Sequence, residues 1–461
     1  MLSNRLLAVA LPPGTRLPIA LAVVTLLVAA LAVVGSIPVG YNLRNLVVRW
    51  RTTLLTALAF TLVVGLMTVM LAFVAGMNHL TKQSGQPGNV IVLSDGATDE
   101  LFSNLNFVDA GDIERQSGVL RNDDGQPLAS REVYIVVTQP VIGPSGETLR
   151  RRFSQVRGID DPAMAGAVHG LELFPGGAWF SPAGVETLAS KAHPADATGA
   201  PAVGADRPAI QAVLGEGAAR QLGAELGQPP LGVGDTFELG MRRWVVVGVM
   251  QSAGSTFGSE IWAKRGVVAP LFGKADIYTS IVLRTAGADT ARAVSTDLND
   301  HFKKAALAAQ PETQYFSKLG ETNRQFAVTI AFVTIVMSIG GVFGVMNTMF
   351  AAVSQRTKDI GVLRILGFAR WQIVISFFLE SLLIAVVGGA LGCAVGYLAD
   401  GVQATSVVSS GQGSGKTITL ELLVTSQILM TGMLLALGMG ALGGLIPALA
   451  AMRLRPLESM R

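Results

Sequence analysis

The sequence predicts an α-helical membrane bundle with a large α/β domain inserted after the N-terminal helices. Half of its 461 residues are hydrophobic and 15% are charged, whereas about a quarter of the residues in an average soluble protein are charged. The hydrophobic residues form long runs near both ends of the chain, and about 20 such residues cross a bilayer as a helix. Residues 78–325, between the runs, have mixed composition. This division indicates membrane segments that enclose a soluble domain.

Five hydrophobic runs are candidate transmembrane helices: residues 17–39, 52–77, 326–353, 371–398 and 422–452. Lys and Arg residues cluster before the second run, between the third and fourth, and after the fifth. The clusters are Arg44, Arg49 and Arg51, then Arg356, Lys358, Arg364 and Arg370, then Arg453, Arg455 and Arg461. Because such clusters favour the cytoplasmic side, all three support one topology, with residues 78–325 and 401–421 outside the cytoplasm.

This topology divides the chain into four parts. Residues 1–40 contain an extra N-terminal transmembrane helix, and residues 41–77 contain an interfacial helix followed by a second span. Residues 78–325 form the extracytoplasmic domain, and residues 326–461 form a core with three more spans.

The first run has two interpretations. Arg5 and Arg16 precede it, and Ala30 and Ala32 offer a cleavage site, as in a secretory signal peptide. Cleavage would leave the basic cluster before the second run outside the cytoplasm, against the predicted topology. We therefore expect a retained helix with the N-terminus outside.

Residues 41–51 place Leu43, Leu46, Val47 and Trp50 on one helical face. This pattern predicts an amphipathic helix that lies at the membrane interface. The alternative is that the segment is the cytoplasmic end of the following span.

The soluble stretch has the pattern of an α/β domain. Residues 89–94, 132–138, 243–249 and 278–284 are rich in β-branched side chains and are predicted strands. Residues 216–226 and 289–307 are predicted helices, and residues 182–208, rich in Ala, Gly and Pro, are a predicted loop.

Motifs for catalysis or ligand binding are weak. Residues 411–417, GQGSGKT, resemble a phosphate-binding loop, but Ser410 stands where that motif requires its first glycine. The four histidines have no metal-ligand spacing, and Cys393 is interpreted as a packing residue inside a span. A net charge of +3 is too small to indicate nucleic acid. We expect no enzymatic activity, no ATPase and no cofactor in this chain.

Small residues at four-residue spacing let membrane helices approach closely. Three spans carry them: Gly340 and Gly344, Gly388, Gly392 and Gly396, and Gly440 and Gly444. We interpret these glycines as helix-packing positions, within the bundle and in a dimer.

Glu380 lies inside the fourth run. A carboxylate inside a membrane is energetically costly, so it is usually either functional or paired with another group of the protein. A hydrogen bond to a neighbouring helix or snorkelling to the interface is favoured over proton coupling.

The segment between the third and fourth runs, residues 354–370 and here called the connector, reads SQRTKDIGVLRILGFAR. With its flanking helices it resembles the permease core of MacB/FtsX-like ABC transporters, whose connector has the form R-x-x-E/D-I-G-x-x-R-x-x-G. The matching positions are Arg356, Asp359, Ile360, Gly361, Arg364 and Gly367. The C-terminal residues 443–461 are similar to the family's usual ending, with Met460 where Leu is commoner. Over the soluble domain the likeness is looser.

The resemblance implies a multi-pass permease of the bacterial cytoplasmic (inner) membrane that forms a homodimer and works with a separate cytoplasmic ABC ATPase. It also implies a possible membrane-fusion or other extracytoplasmic partner. ATP hydrolysis would then move the MacB-like periplasmic core domain and so drive export or extraction of a substrate. This transfer of motion from the ATPase to the outer domain is called mechanotransmission. The ATPase-coupling residues would be Gln355, Arg356, Thr357, Lys358, Asp359, Ile360, Gly361, Arg364 and Gly367. The alternative is an FtsX-like regulatory scaffold, which acts on an extracytoplasmic partner without transport. The usual member has four spans, so the helix at residues 17–39 is a departure.

Overall fold

The computed structural model describes residues 44, 46–142, 148–188, 207–252, 254–302, 304–319, 321–409 and 415–453. The chain divides into two compact units. The membrane unit comprises the residues up to Gly76, Asn323–Val402 and the residues from Glu421 onward, and the α/β unit comprises Met77–Thr322 and Gln403–Leu420. The predicted helix at residues 17–39 lies outside the described residues.

Eleven α-helices are bounded within the described part of the chain. In order they are α1 (Trp50–Ser84), α2 (Ala110–Glu114), α3 (Pro162–His169), α4 (Glu216–Glu225), α5 (Arg265–Leu271), α6 (Ala288–His301), α7 (Glu312–Leu319), α8 (Glu321–Gln355), α9 (Thr357–Ile365), α10 (Arg370–Tyr397) and α11 (Ser426–Met452).

The strands are, in order, β1 (Asn89–Ser94), β2 (Leu105–Asn106), β3 (Ala129–Ile142), β4 (Thr148–Ile159), β5 (Val185–Leu188), β6 (Arg207–Gly215), β7 (Thr236–Leu239), β8 (Arg242–Met250), β9 (Glu260–Lys264), β10 (Ile277–Tyr278), β11 (Ser280–Arg284), β12 (Leu307–Pro311), β13 (Gln403–Ser409) and β14 (Gly415–Glu421).

Four helices among the described residues, α1, α8, α10 and α11, are long and apolar enough to cross a membrane. They correspond to the second to fifth predicted runs, and the α/β fold lies between the first and second of them in the chain. Of the predicted interfacial helix, residues 46–48 are helical and Arg49 forms a turn before α1 begins. The fold class predicted for this part of the chain is therefore confirmed.

Helix α10 approaches α1 closely because glycines line its contact face: Gly388, Gly392 and Gly396. A methyl group added to the first would lie 2.6 Å from Phe60 Cβ of α1, and one added to the second would lie 2.7 Å from Val64 Cβ. The Thr61 hydroxyl of α1 also donates a hydrogen bond to the Gly388 carbonyl over 3.1 Å. Such close approach increases van der Waals contact between helices in a bilayer.

Glycines of α11 have the same role against α10. A methyl group on Gly440 would lie 2.5 Å from Ala385 Cβ, and one on Gly444 would overlap the Ser381 side chain. Gly340 and Gly344 of α8 differ, because an added methyl group there would meet no atom of another element within 4 Å. Gly340 and Gly344 therefore lie on a face of α8 that the described residues leave uncovered.

The α/β unit is built on a ten-stranded mixed sheet. Its strand order is β12-β1-β11-β3-β4-β9-β6-β8-β7, and β5 pairs with β6 beside β9. The pairs β4–β9 and β6–β8 are parallel and the others are antiparallel. The pairs β2–β10 and β13–β14 form two separate two-stranded sheets.

Both faces of this sheet are covered. Successive side chains of a strand point to opposite faces, and in β1 Val90 and Val92 belong to one hydrophobic cluster while Ile91 and Leu93 belong to another. Helices α2, α4, α5 and α6 contribute to the first cluster, and α3 and α7 contribute to the second. A strand that is buried on both faces requires a continuous apolar run. This double burial explains why residues 89–94 are apolar enough to be predicted as a strand.

Several predicted boundaries in this unit are wrong. The helix predicted for residues 289–307 ends at His301, because residues from Leu307 onward pair with β1 as β12. The strand predicted at 278–284 is divided at Thr279, whose N–H and hydroxyl both donate to the Glu132 carbonyl. The predicted loop at 182–208 includes β5 and the start of β6, and its residues 189–206 lie outside the described part. The strands β13 and β14 are elements that the sequence pattern does not predict.

We expect Gly440→Leu to destabilise the membrane unit, because the added side chain must displace α10. Overpacking of this kind costs about 1–3 kcal/mol, which should lower the thermal midpoint of the detergent-solubilised protein. Gly438→Leu on the same helix is the control, since a methyl group there would meet nothing within 4 Å. Equal thermal midpoints for the two variants would contradict this packing role.

Candidate functional site: the connector between α8 and α10

The connector is folded rather than extended, and α9 makes up most of its length. Its end is a Schellman motif, in which the Phe368 N–H donates to the Leu363 carbonyl over 3.1 Å and the Gly367 N–H donates to the Arg364 carbonyl. Gly367 has φ of 95°, a left-handed conformation that favours glycine. The Gln372 side chain then accepts the Ala369 N–H over 2.7 Å at the start of α10. The second glycine of the connector motif, Gly367, therefore ends α9.

The inner side of the connector carries a buried ion pair. Arg356, at the junction of α8 and α9, donates from Nη1 and Nη2 to the two carboxylate oxygens of Glu380 in α10, over 2.9 and 3.2 Å. Its guanidinium carbon lies 5.9 Å from the centroid of the Phe377 ring. Ile360 and Gly361 are also buried, and Ile360 belongs to the same hydrophobic cluster as Phe377.

Arg49 adds a further positive charge near this pair. Partial burial and the charge of Arg356 lower the pKa of Arg49, and the charge of Glu380 opposes that change. The connector's inner side is therefore a junction of three charged groups, two cationic and one anionic, from three parts of the chain.

The outer side of the connector combines apolar and charged side chains. Val362, Ile365 and Leu366 are 49%, 60% and 70% exposed, and Lys358 and Asp359 are exposed beside them. Residues 358, 362, 365 and 366 share one helical face by their spacing. This is an amphipathic surface of the kind that docks into a groove on a partner.

The predicted coupling residues therefore separate into groups. Gln355, Lys358 and Asp359 are exposed, whereas Arg356, Ile360 and Gly361 are buried. Thr357 donates from its hydroxyl to the Ser354 carbonyl over 2.7 Å, and Arg364 donates to the Phe368 carbonyl. The hydrogen-bond interpretation of Glu380 is confirmed, with Arg356 as the partner.

Sequence reasoning missed the apolar part of the outer face. The sequence does contain a signal for this apolar face: Val362, Ile365 and Leu366 have the spacing of residues on one side of a helix. The basic residues of the connector do not indicate it.

Two family matches cover most of the chain. The family described as FtsX-like permease C-terminal matches residues 331–456, and the one described as MacB-like periplasmic core domain matches residues 53–301, more than half of the chain. The protein belongs to the MacB/FtsX family of ABC transporter permeases.

Individual relatives agree with this assignment. The "uncharacterized ABC transporter permease YknZ" of Bacillus subtilis is 27% identical over 214 residues, 44% of this chain and 49% of that protein. The "macrolide export ATP-binding/permease protein MacB" of Sodalis glossinidius is 27% identical over 397 residues, 80% of this chain and 55% of that protein. The chain spans about half the length of these relatives.

The chain is also similar to a solved structure, the periplasmic region of MacB from Actinobacillus actinomycetemcomitans. The two chains are 14% identical, with a TM-score of 0.33, over 51% of this chain and 94% of that one.

The MacB-like core domain contains a second cluster of charged groups, which is buried. Arg157 of β4 lies between Glu132 of β3 and Glu260 of β9 on one face of the sheet, and Glu100 approaches from a short 3₁₀ turn. Its Nε and Nη2 each donate to Glu260 over 2.7 Å, and its Nη1 donates to Glu100 over 2.7 Å and to Glu132. Because each guanidinium nitrogen has a carboxylate partner, the buried charge is compensated.

His169, the last residue of α3, continues this network. Its Nε2 lies 2.6 Å from Glu132 Oε1, and its Nδ1 lies 3.4 Å from Glu312 Oε1. Burial disfavours the charged imidazolium, but Glu132 and Glu312 outweigh it and raise the pKa of His169 to about 10. Burial likewise opposes ionisation of Glu132, but Arg157 and His169 lower its pKa to about 2. The Glu132 and His169 side chains are 0% and 1% exposed, so this arrangement holds strands and helices together and offers no access to a substrate.

The segment that resembles a phosphate-binding loop has a different local structure. Residues 411–414 lie outside the described part, and Gly415–Glu421 form strand β14. A phosphate-binding loop of this motif leads from a strand into a helix, so the part that is described has the wrong secondary structure for one.

We expect the pH dependence of stability to report on His169. Its pKa is about 10 when folded and about 6.5 when unfolded, so its contribution is complete below pH 6.5 and is lost as the pH rises through 10. The thermal midpoint of the full-length protein in detergent, followed by tryptophan fluorescence, should fall between pH 7 and 10. In His169→Gln the midpoint should be lower throughout and should fall less over that range. Parallel slopes for the two proteins would exclude a buried imidazolium.

Proposed function

We propose that this protein is the transmembrane subunit through which a separate cytoplasmic ABC ATPase drives movement of the MacB-like core domain, for export or extraction of a substrate. The observation that carries the proposal is the outer face of α9, which exposes Val362, Ile365 and Leu366 between charged residues. An exposed apolar patch rimmed by polar groups is typical of a protein interaction site. The MacB relative from Sodalis glossinidius is named as an ATP-binding and permease protein for macrolide export, which supports an export role here.

The proposed orientation has the connector and Arg44–Arg51 segment in the cytoplasm and the core domain outside. Basic residues at both cytoplasmic segments support it, because such residues are enriched on that side of bacterial membranes. Four spans then return the chain to the cytoplasm after α11. In sequence, α1 precedes the core domain and α8 follows it.

A homodimer is part of this proposal, with α8 at the interface. Only 6% of the most apolar stretch of α8 is buried by the described residues, against 44–56% in the other three spans. Gly340 and Gly344 lie on its uncovered side, and small residues at this spacing favour contact between helices over contact with lipid.

The orientation predicts which residues a membrane-impermeant thiol reagent can label in intact cells. In a Cys393→Ala background, Ser117→Cys in the core domain should be labelled, because it is exposed and proposed to lie outside. Lys358→Cys in the connector is also exposed and should be labelled only after the cells are permeabilised. Labelling of Lys358→Cys in intact cells would reverse the proposed orientation.

The role of α9 predicts that Leu366→Glu abolishes recovery of an ABC ATPase with the permease purified from its native host. A charge within the apolar patch would be desolvated on docking, which is costly. Leu398→Glu is the matched control: both leucines are C-cap residues and exposed, at 70% and 78%, but Leu398 is proposed to lie on the opposite side of the membrane. Quantitative mass spectrometry of the ATPase relative to the permease measures the effect. Equal recovery from the two variants would refute α9 as the docking site.

A further inference from the structure

The Arg356–Glu380 pair connects the two ends of a loop that contains connector residues 356–370. The residues are 24 positions apart in sequence, and the chain between them includes α9 and the first turns of α10. Both are buried, at 8% and 3% exposure. The N-terminal end of α9 is thus attached to α10 by two charge-assisted hydrogen bonds in addition to the covalent turn at its C-terminal end.

Stability alone does not account for a buried pair at this position. Removing two charges from water costs much of what their attraction returns, and well-packed apolar residues of similar volume often serve stability equally well. A bidentate guanidinium–carboxylate contact adds something that apolar contacts lack, because its two parallel hydrogen bonds fix the relative orientation of two planar groups.

The turn at residues 366–369 is the covalent connection between α9 and α10, and it contains Gly367, whose backbone is the most permissive of any residue. At its N-terminal end α9 continues from α8 through Arg356, so this end has no covalent connection to α10. The Arg356–Glu380 contact attaches it to α10, in addition to the packing of Ile360. With both ends of α9 held to α10, a force applied to the outer face of α9 moves α10 as well.

We infer that the Arg356–Glu380 pair is a positioning link that makes α9 and α10 move as one body, so that displacement of α9 is transmitted into the membrane bundle. The inference rests on the proposed function, in which the ATPase is the source of that displacement. Neither residue needs to contact the ATPase, since both side chains are directed into the bundle.

Three changes to the pair separate its charge, its geometry and its packing. Arg356→Met with Glu380→Leu replaces the pair by apolar side chains and is expected to fold. Arg356→Glu with Glu380→Arg reverses the pair and preserves two hydrogen bonds. Arg356→Lys keeps the charge but removes the bidentate geometry, and it serves if the apolar variant fails to fold.

Distance measurement by electron spin resonance tests the link without any partner. Spin labels are placed at Lys358→Cys in α9 and Val387→Cys in α10, both exposed positions, in a Cys393→Ala background of the full chain. Proteins with the native or reversed pair should give one narrow distance peak, and the apolar and Arg356→Lys variants should lose it. A narrow peak in the apolar variant, or in Arg356→Lys, would overturn the inference, because packing or charge alone would then hold α9.

A second measurement distinguishes failure of the inference from failure of the proposed function. The amount of ATPase recovered with each variant is measured first. ATP with vanadate is then added to the complex, and two distances are measured: the one between residues 358 and 387, and one between spin labels on α1 and α10. We expect the apolar variant to recover the ATPase at the native level but to lose the ATP-dependent change within the bundle, which the reversed pair restores. Absence of ATPase from the native protein would refute the proposed function, whereas an ATP-dependent change that survives in the apolar variant would refute the link.

Discussion

A guanidinium removed from water must be surrounded by compensating charge, and each compact unit of this protein contains such a buried arginine. In the α/β unit Arg157 is paired with Glu100, Glu132 and Glu260, and in the membrane unit Arg356 is paired with Glu380. The desolvation cost of a buried charge is large when any partner is missing. Each arginine therefore requires that elements distant in sequence come together in one arrangement.

In the core domain this requirement joins one cover of the sheet to its centre. Arg157, Glu132 and Glu260 lie on three adjacent strands, and Glu100 lies on a 3₁₀ turn. His169 and Glu312 bring in the end of α3 and the start of α7. The aromatic rings of Tyr134 and Phe257 lie within 5.0 and 5.5 Å of the Arg157 guanidinium, which adds cation–π attraction. The hydrophobic clusters provide most of the burial, and the charged network connects strands β3, β4 and β9 with α3 and α7.

In the membrane unit the corresponding specificity comes from small residues and one ion pair. Lipid tails are as apolar as leucine, so helices in a bilayer associate through close packing and polar contacts. Glycines of α10 and α11 provide the close packing, and the ion pair of Arg356 with Glu380 provides a polar contact. The connector then has two sides with different roles: the inner side is held by the bundle, while the outer side remains available to a partner.

The sequence by itself determined the elements whose signals are local. Hydrophobic runs of bilayer length predicted α1, α8, α10 and α11, a β-branched run predicted β1, and the connector motif indicated the family. Gly367 belongs to that motif because a helix end needs a left-handed residue, which is also a local requirement.

Only the tertiary structure decided the rest. It ended α6 at His301 so that β12 could pair with β1, it placed Arg356 inside the bundle although its neighbour Lys358 is exposed, and it gathered Glu100, Glu132, Arg157, His169 and Glu260 from across the domain. Strand pairing and charge compensation join residues far apart in the chain, and no periodicity within a segment records which distant partner a residue will meet.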